Sequence, residues 1–275
     1  MGKKLGLIII RGSGESGFEK QEKFLKKVYK KLEKKGVNTS DIQHGFVDYY
    51  GYMQSQQELL LERLFSADIK LRAKPIRKFL IANIGDLINY GGKPNLPAHT
   101  YEETHKLVYQ SIISLKDKLI ENAPLIVIAS SFGSEIINNY IWDRQYATAP
   151  DPFGNSPFER FETMVGLFTF GSNIPIFAVS HDIDSLQPIT FPSPNLDPNL
   201  VSLSVWENFY DKNDSLGYPV KPINSSYTAS KVSDIQVNVG SLFTFWNFFS
   251  HFGYWNSRKI RKRITEYIQS VMTIL

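Results

Sequence analysis

The chain has 275 residues, of which 42% are hydrophobic and 21% are charged, with a net charge of +4 and no cysteine. This composition provides for a large apolar core and excludes disordered, collagen-like and coiled-coil proteins. Without cysteine the chain cannot form disulfides, thiolate metal sites or a cysteine nucleophile.

The domain organisation follows from the length and from the lack of linkers. Folds of the α/β class with about 250 residues are commonly one unit, and no Gly/Ser tract or low-complexity segment divides this chain. We therefore predict a single domain over residues 1–275. Because the sequence shows no secretory or membrane-spanning apolar stretch, we expect a cytoplasmic protein.

The first predicted elements are a strand and a basic helix. Residues 5–10 form an apolar run, which predicts a buried strand, and a loop of small residues follows at 11–14. The apolar positions of residues 19–35 fall on one helical face, so we interpret this segment as a surface helix with a solvated lysine face. Peripheral contact of these lysines with an anionic membrane is the alternative. No nucleic-acid motif accompanies them, so we expect no nucleic-acid partner.

The remaining elements alternate between strands and helices, which predicts an α/β fold with a mostly parallel central sheet covered by helices on both faces. Predicted strands lie at residues 46–50, 125–128, 165–170, 203–209 and 235–239. Predicted helices lie at residues 54–64, 75–90, 100–121, 135–142 and 258–275, and Thr100 with Glu103 forms a capping box. Elements within residues 40–120 and the proline-rich loop 187–199 are expected to shape or cover a pocket.

The most informative motif is Ala-Ser-Ser-Phe-Gly at residues 129–133, between a predicted strand and a predicted helix. A serine at the apex of such a sharp turn is a nucleophile elbow, which needs small residues two positions before and after the serine. Alanine and glycine meet that requirement here, so Ser131 is the candidate nucleophile. Ser130 and Ser134 are its competitors.

The general base is predicted from chain order, since the partners of such a serine follow it as an acid and then a histidine. Of the five histidines, only His181 and His251 come after Ser131. His251 directly precedes the last predicted helix, whereas His181 precedes the candidate acids. We therefore predict His251 as the general base.

The acid is expected in the loop after the predicted strand at 203–209, which contains Asp211 and Asp214. Asp214 is preferred because the first aspartate of such a loop more often ties the turn together. Asp211 is the second choice and Asp234 the third. The carboxylate would hold the imidazole in the right tautomer and stabilise its charged form.

Backbone N–H groups are the candidate donors to an oxyanion. The elbow aims the N–H of Phe132 at such an oxygen, and the small residues Gly12 and Ser13 suit the second donor position. A phosphate-binding role for the first loop is excluded because no Gly-Lys-Ser/Thr follows it. No His/Asp/Glu cluster has metal-ligand spacing, so we expect neither a metal nor a cofactor.

Residues 243–255 contain eight aromatic side chains around His251. We expect most of them in the core and some of them lining an apolar pocket for an acyl group.

Taken together, these segments resemble the α/β-hydrolase superfamily, in particular its lipase- and esterase-like bacterial members of unassigned substrate. The matching segments are residues 8–14, 126–134, 168–172, 206–214 and 250–255. The resemblance implies the α/β-hydrolase fold, with Ser131 as nucleophile, Asp214 as acid and His251 as base. The sequence departs from the family pattern at Arg11, where the first loop usually has histidine, and at residues 129–130, where the elbow usually has Gly-His.

The function expected from these residues is that of a serine hydrolase, cleaving a small-molecule or lipid carboxylic ester through an acyl-enzyme. A phospholipase or thioesterase would use the same three residues. A non-catalytic binding protein that keeps the fold is the alternative from another class.

Overall fold

The computed structural model describes residues 2–13, 17–66, 72, 74–91, 99–146, 153–154, 156–240 and 248–275. The strands in these ranges are β1 (Leu5–Ile10), β2 (Ile42–Val47), β3 (Leu125–Ser130), β4 (Met164–Phe170), β5 (Val205–Asp211) and β6 (Val232–Val237). The α-helices are α1 (Glu19–Lys34), α2 (Tyr50–Ser66), α3 (Lys74–Gly91), α4 (His99–Lys116), α5 (Phe132–Tyr146), α6 (Ile174–Ala178), α7 (Ser225–Ala229) and α8 (Arg258–Ile274). A 3-10 helix at Phe248–Asn256 precedes α8.

The strands form one sheet in the order β2-β1-β3-β4-β5-β6, and every neighbouring pair is parallel. Parallel neighbours require crossover connections, and helices provide them between most of these strands. The carboxyl ends of the strands therefore meet at one edge of the sheet, where the loops after β1, β3, β4 and β5 come together.

Two apolar cores cover the two faces of the sheet. Successive strand residues point to opposite faces, so Val127 belongs to the core under α4 and α5, and Ile128 to the core under α1 and α8. A strand that is buried on both faces has a nearly continuous run of apolar residues in its sequence, and β1 and β3 are examples. The predicted α/β-hydrolase fold, a parallel sheet with helices on both faces, is confirmed.

The predicted elements are present, with shifted ends. The strand predicted at 46–50 corresponds to β2, which begins at Ile42. Because β2 lies at the edge of the sheet, it is only half-buried and its sequence has a weak apolar pattern. The helix predicted to reach 121 ends at Lys116, because the chain then pairs with Lys3 through the bonds Lys3 N–H to Lys118 O and Ile120 N–H to Lys3 O. The predicted capping box is wrong, since Thr100 lies inside α4.

Helix α1 has the predicted surface position. Its buried side chains include Leu25, Val28 and Leu32, which pack in the core shared with α8, while its lysines are exposed. Among the described residues no helix carries an apolar stretch long enough to cross a membrane.

The two segments expected to shape a pocket differ in their positions. Tyr90 of α3 and Tyr101 of α4 line a cavity beside α5, so the 40–120 segment does border a pocket. The loop 187–199 borders that cavity at Gln187, but residues 188–190 bond to Gln145 and Tyr146 at the end of α5 remote from Ser131. These contacts hold this part of the loop against the end of α5 and do not place it over Ser131.

Candidate active site

Ser131 occupies a strained turn between β3 and α5. Its φ is +51°, in the left-handed region that residues other than glycine rarely adopt. The turn is fixed because the Ser131 N–H donates to Phe170 O at 2.9 Å and the Ser131 carbonyl accepts from the Ser134 N–H. A side chain at Gly133 would collide with the Arg11 carbonyl oxygen, which explains the glycine two residues after the serine. This geometry is that of a nucleophile elbow.

Ser131, His251 and Asp214 form a continuous hydrogen-bonded line. His251 Nε2 lies 2.7 Å from Ser131 Oγ, and His251 Nδ1 lies 2.7 Å from Asp214 Oδ2. A carboxylate only accepts, so Nδ1 carries the proton of the neutral ring and Nε2 presents its lone pair to the serine hydroxyl. All three residues are less than 9% exposed, so water screens these contacts weakly.

The structure distinguishes the two aspartates after β5. Asp214 Oδ1 accepts from the Leu216 N–H and Oδ2 faces His251. Asp211 instead accepts the N–H groups of Asn213 and Val239, at 3.0 and 2.7 Å. Asp211 therefore ties the loop together, as its place in the sequence predicts.

The other candidates do not join this line. Asp234 accepts from the Val220 and Lys221 N–H groups. His181 is exposed and lines the cavity beside α5. Ser134 lies inside α5 with its hydroxyl buried, whereas Ser130 borders the same small pocket as Ser131.

The candidate oxyanion donors flank Ser131. Phe132 is the first residue of α5, and the first N–H groups of a helix have no acceptor within it. Gly12 and Ser13 line the pocket over Ser131. A Cβ on Gly12 would lie 2.6 Å from the Cβ of Ser131, so only glycine permits this approach. Gly14, the last residue of the predicted loop, lies outside the described residues.

Arg11 anchors this first loop to the end of β2. Its Nη2 donates to Asp48 Oδ1 at 2.9 Å, its carbonyl accepts from the Tyr49 hydroxyl, and its guanidinium lies over the Phe18 ring. The residue that departs from the family pattern therefore holds the loop in place.

Two residues that the sequence analysis did not assign also contact the site. Asn173, after β4, has its Oδ1 3.1 Å from Ser131 Oγ, as a second acceptor site for the single hydroxyl proton that His251 Nε2 also faces, and its Nδ2 donates to Leu216 O at 2.8 Å. Tyr254 donates to Asp214 Oδ2 at 2.8 Å, and burial raises its pKa so that the hydroxyl stays protonated. The position of Asn173 directly beyond a predicted strand end was the available signal for it.

The free space directly over Ser131 is about 20 Å³, enough for one water molecule. Phe252, Tyr254 and Trp255 line it, as the aromatic segment predicts, but it is too small for an acyl group. The side chains of the aromatic residues at 243–249 lie outside the described residues.

A larger cavity, which we term the α5 cavity, lies beside α5, where Phe132 packs against the wall residues Tyr90 and Phe177. Its volume is about 450 Å³, and its walls include Tyr90, Ile174, Phe177 and Glu135. Glu135 is one helical turn after Ser131, and burial raises its pKa to about 8. In the sequence, Glu135 is visible only as the first residue of a predicted helix.

The described residues contain no group of His, Asp or Glu side chains arranged to hold a metal ion.

No protein-family model and no curated protein matches the chain. Among solved structures, the chain is similar to one described as a predicted CIB-like hydrolase from Thermoplasma acidophilum, with 10% sequence identity and a TM-score of 0.39. The match covers 98% of this chain and 87% of that chain.

Proposed function

We propose that this protein is a serine hydrolase that cleaves carboxylic esters. The observation that carries the proposal is the line of hydrogen bonds from Asp214 through His251 to Ser131, at 2.7 Å each, with Ser131 on a strained turn. A serine hydroxyl is a weak nucleophile unless a base is placed to take its proton, and this arrangement supplies one.

In the first half of the reaction, Ser131 Oγ attacks the ester carbonyl carbon while His251 Nε2 takes the hydroxyl proton. The carbonyl oxygen becomes an oxyanion, which the N–H groups of Phe132 and Ser13 stabilise. His251 then gives its proton to the leaving alcohol as the carbon–oxygen bond breaks, which leaves an acyl group on Ser131.

In the second half, His251 takes a proton from water, whose oxygen attacks the acyl carbon. The second tetrahedral intermediate collapses, the acid product leaves, and Ser131 regains its proton from His251. Asp214 holds the imidazole throughout and stabilises its positive charge, and Tyr254 holds Asp214.

A fluorophosphonate probe tests the proposal directly, because it labels only an activated serine. We expect labelling of the wild type, retained labelling of Ser130→Ala and none of Ser131→Ala, with the modified peptide identified by mass spectrometry. Failure of the folded wild type to react would contradict the proposal and favour a non-catalytic binding protein. A panel of esters and thioesters then defines the preferred bond.

A second candidate is the hydrolysis of lipid esters at a membrane surface. It is supported by exposed aliphatic side chains on α2 and α3, among them Ile76, Leu80, Ile84 and Ile88, which recur every four residues along one side of α3. Turnover of a long-chain ester that rises steeply above its micelle concentration would support this version. Equal turnover of short soluble esters would contradict it.

A further inference from the structure

The α5 cavity offers a binding site next to Ser131. It is enclosed by α5, by α6, by Tyr90 of α3 and by Tyr101 of α4, and it measures about 450 Å³. That volume lies in the range of small-molecule pockets. Ile174, in its wall, directly follows Asn173, which bonds Ser131. The cavity wall therefore begins one residue after the side chain that contacts Ser131.

Glu135 places an unsatisfied acceptor in the cavity wall. The residue is 3% exposed, and its Oε1 accepts from Asn139 Nδ2 at 2.8 Å. Its Oε2 is buried and has no hydrogen-bond partner among the described residues. Buried polar atoms are nearly always paired, so an orphaned carboxyl oxygen at a cavity indicates a missing donor.

A second orphaned acceptor lies on the same helix. Asn138 lines the cavity and is 6% exposed, and its Oδ1 also lacks a partner among the described residues. The Asn138 oxygen only accepts, and Glu135 Oε2 only accepts when the carboxyl is ionised, so an occupant that satisfies both atoms donates hydrogen bonds and takes Glu135 in its ionised form.

The carboxyl groups and the aromatic side chains that line the α5 cavity favour the binding of a cation. Asp143 is a second carboxyl in the lining, and among the described lining residues there is neither lysine nor arginine. The aromatic side chains in the lining are those of Tyr90, Tyr101, Trp142, Phe177 and Tyr227. Aromatic faces attract cations, and two carboxyl groups oppose the entry of an anion.

We propose that the α5 cavity binds a protonated primary or secondary amine of the ester substrate, with Glu135 as the residue that determines this specificity. The amine supplies N–H donors to Glu135 Oε2 and Asn138 Oδ1, which a quaternary ammonium group lacks. This inference rests on the proposed function for the position of the ester. It adds the substrate class, which is an amine-bearing ester.

The ionisation of Glu135 is consistent with this role. Burial raises the pKa of Glu135 to about 8, and the hydrogen bond with Asn139 opposes part of this shift. A bound ammonium would favour the ionised form and restore an ion pair.

The test compares matched esters that differ only in an amine or a methyl group at the end of one chain. One pair is ω-aminobutyl butyrate and pentyl butyrate, and the second carries the amine in the acyl chain, as methyl ω-aminohexanoate and methyl heptanoate. We expect the wild type to prefer the amine member of at least one pair by on the order of tenfold in kcat/KM. Glu135→Gln should bring the ratio of kcat/KM values within each pair close to one.

Glu121→Gln is the matched control, because Glu121 is exposed and lies before β3, at the opposite edge of the sheet from Ser131. This variant should keep the preference. The proposal would be overturned if the wild type turned over pentyl butyrate and methyl heptanoate at least as fast as their amine counterparts. It would also be overturned if Glu135→Gln kept the wild-type preference.

A binding measurement separates this proposal from the proposed function. Saturation-transfer NMR with butylammonium chloride needs no catalysis, and we expect a signal with the wild type that is lost in Glu135→Gln. If the fluorophosphonate probe fails but this signal is present, the cavity binds amines in a protein that is not a serine hydrolase. If the wild type binds butylammonium no better than Glu135→Gln, the amine site is refuted whatever the probe shows.

Discussion

Tyr254 and Asp214 are joined by a hydrogen bond of 2.8 Å, in which the phenol donates to the same carboxyl oxygen that faces His251 Nδ1. The phenol oxygen also accepts the Asp211 N–H at 2.9 Å. Tyr254 therefore connects the candidate acid to the end of β5 and fixes the direction of its carboxylate.

Replacing Tyr254 by phenylalanine removes that donor without removing the ring. We expect kcat/KM for an ester to fall about tenfold, the equivalent of one hydrogen bond to a charged group. The acidic limb of the pH–rate profile should move to higher pH, because a carboxylate with one donor fewer stabilises the protonated imidazole more strongly. Tyr267→Phe is the control, since its hydroxyl bonds Val165 O and Leu203 O away from the site. An unmoved profile in Tyr254→Phe would show that the phenol has only a structural role.

The two aspartates after β5 should respond differently to replacement by asparagine. Asp214→Asn is expected to lower kcat roughly ten-thousand-fold, because the imidazole loses the partner that fixes its tautomer. Asp211→Asn should instead lower the free energy of unfolding by about 1–3 kcal/mol, because a charged acceptor of two backbone N–H groups is lost. Fluorophosphonate labelling and denaturant unfolding of both variants measure this difference. The opposite pattern would identify Asp211 as the acid.

Gly12→Ala tests the close approach of the first loop to Ser131. The added Cβ meets the Ser131 Cβ at 2.6 Å, so either the loop or the elbow must shift. We expect a loss of stability of about 1–3 kcal/mol and a loss of at least a hundredfold in labelling rate, since oxyanion donors act only when correctly placed. Gly45→Ala is the matched control, because its added Cβ finds its nearest neighbour, Ile8 Cδ1, at an ordinary 3.5 Å. Labelling of Gly12→Ala at the wild-type rate would be incompatible with this geometry.

Glu135→Gln should stabilise the protein increasingly as the pH rises. The pKa of Glu135 is about 8 in the folded chain against the ordinary glutamate value of 4.5, so the folded chain keeps a proton that the unfolded chain releases. The free energy of unfolding of the wild type then decreases between these two pH values, by about 1.4 kcal/mol per unit. Glutamine does not titrate, so the advantage of the variant should be small near about pH 5 and several kcal/mol near about pH 9.

Denaturant unfolding of both proteins across this range measures the difference. The other titratable groups of the cavity do not change this comparison. Burial raises the pKa values of Tyr90, Tyr101 and Tyr227, so these phenols stay protonated over this pH range. Asp143 and His181 are present in both proteins, so their contributions cancel in the stability difference. A stability difference that stays constant with pH would contradict a buried, protonated Glu135.

The sequence alone indicated the type and order of the elements, because apolar periodicity and glycine positions are local signals. It also indicated Ser131 and His251, since small residues around one serine and a histidine just before the last helix are visible in the chain itself. The ends of β2 and α4 were less predictable, because an edge strand is only half-buried and α4 ends where the chain pairs with Lys3.

Only the tertiary structure decided which carboxylate faces the histidine, that Asn173 and Tyr254 contact the site, and that Glu135 lines a cavity. The bond between Ser131 and His251 joins residues 120 positions apart, and that between Ser131 and Asn173 spans 42. Such contacts leave no periodic trace in the sequence, because they depend on how loops from separate strands turn at one edge of the sheet. The orphaned oxygen of Glu135 is likewise defined by what surrounds it in space, and its neighbours along the chain do not reveal it.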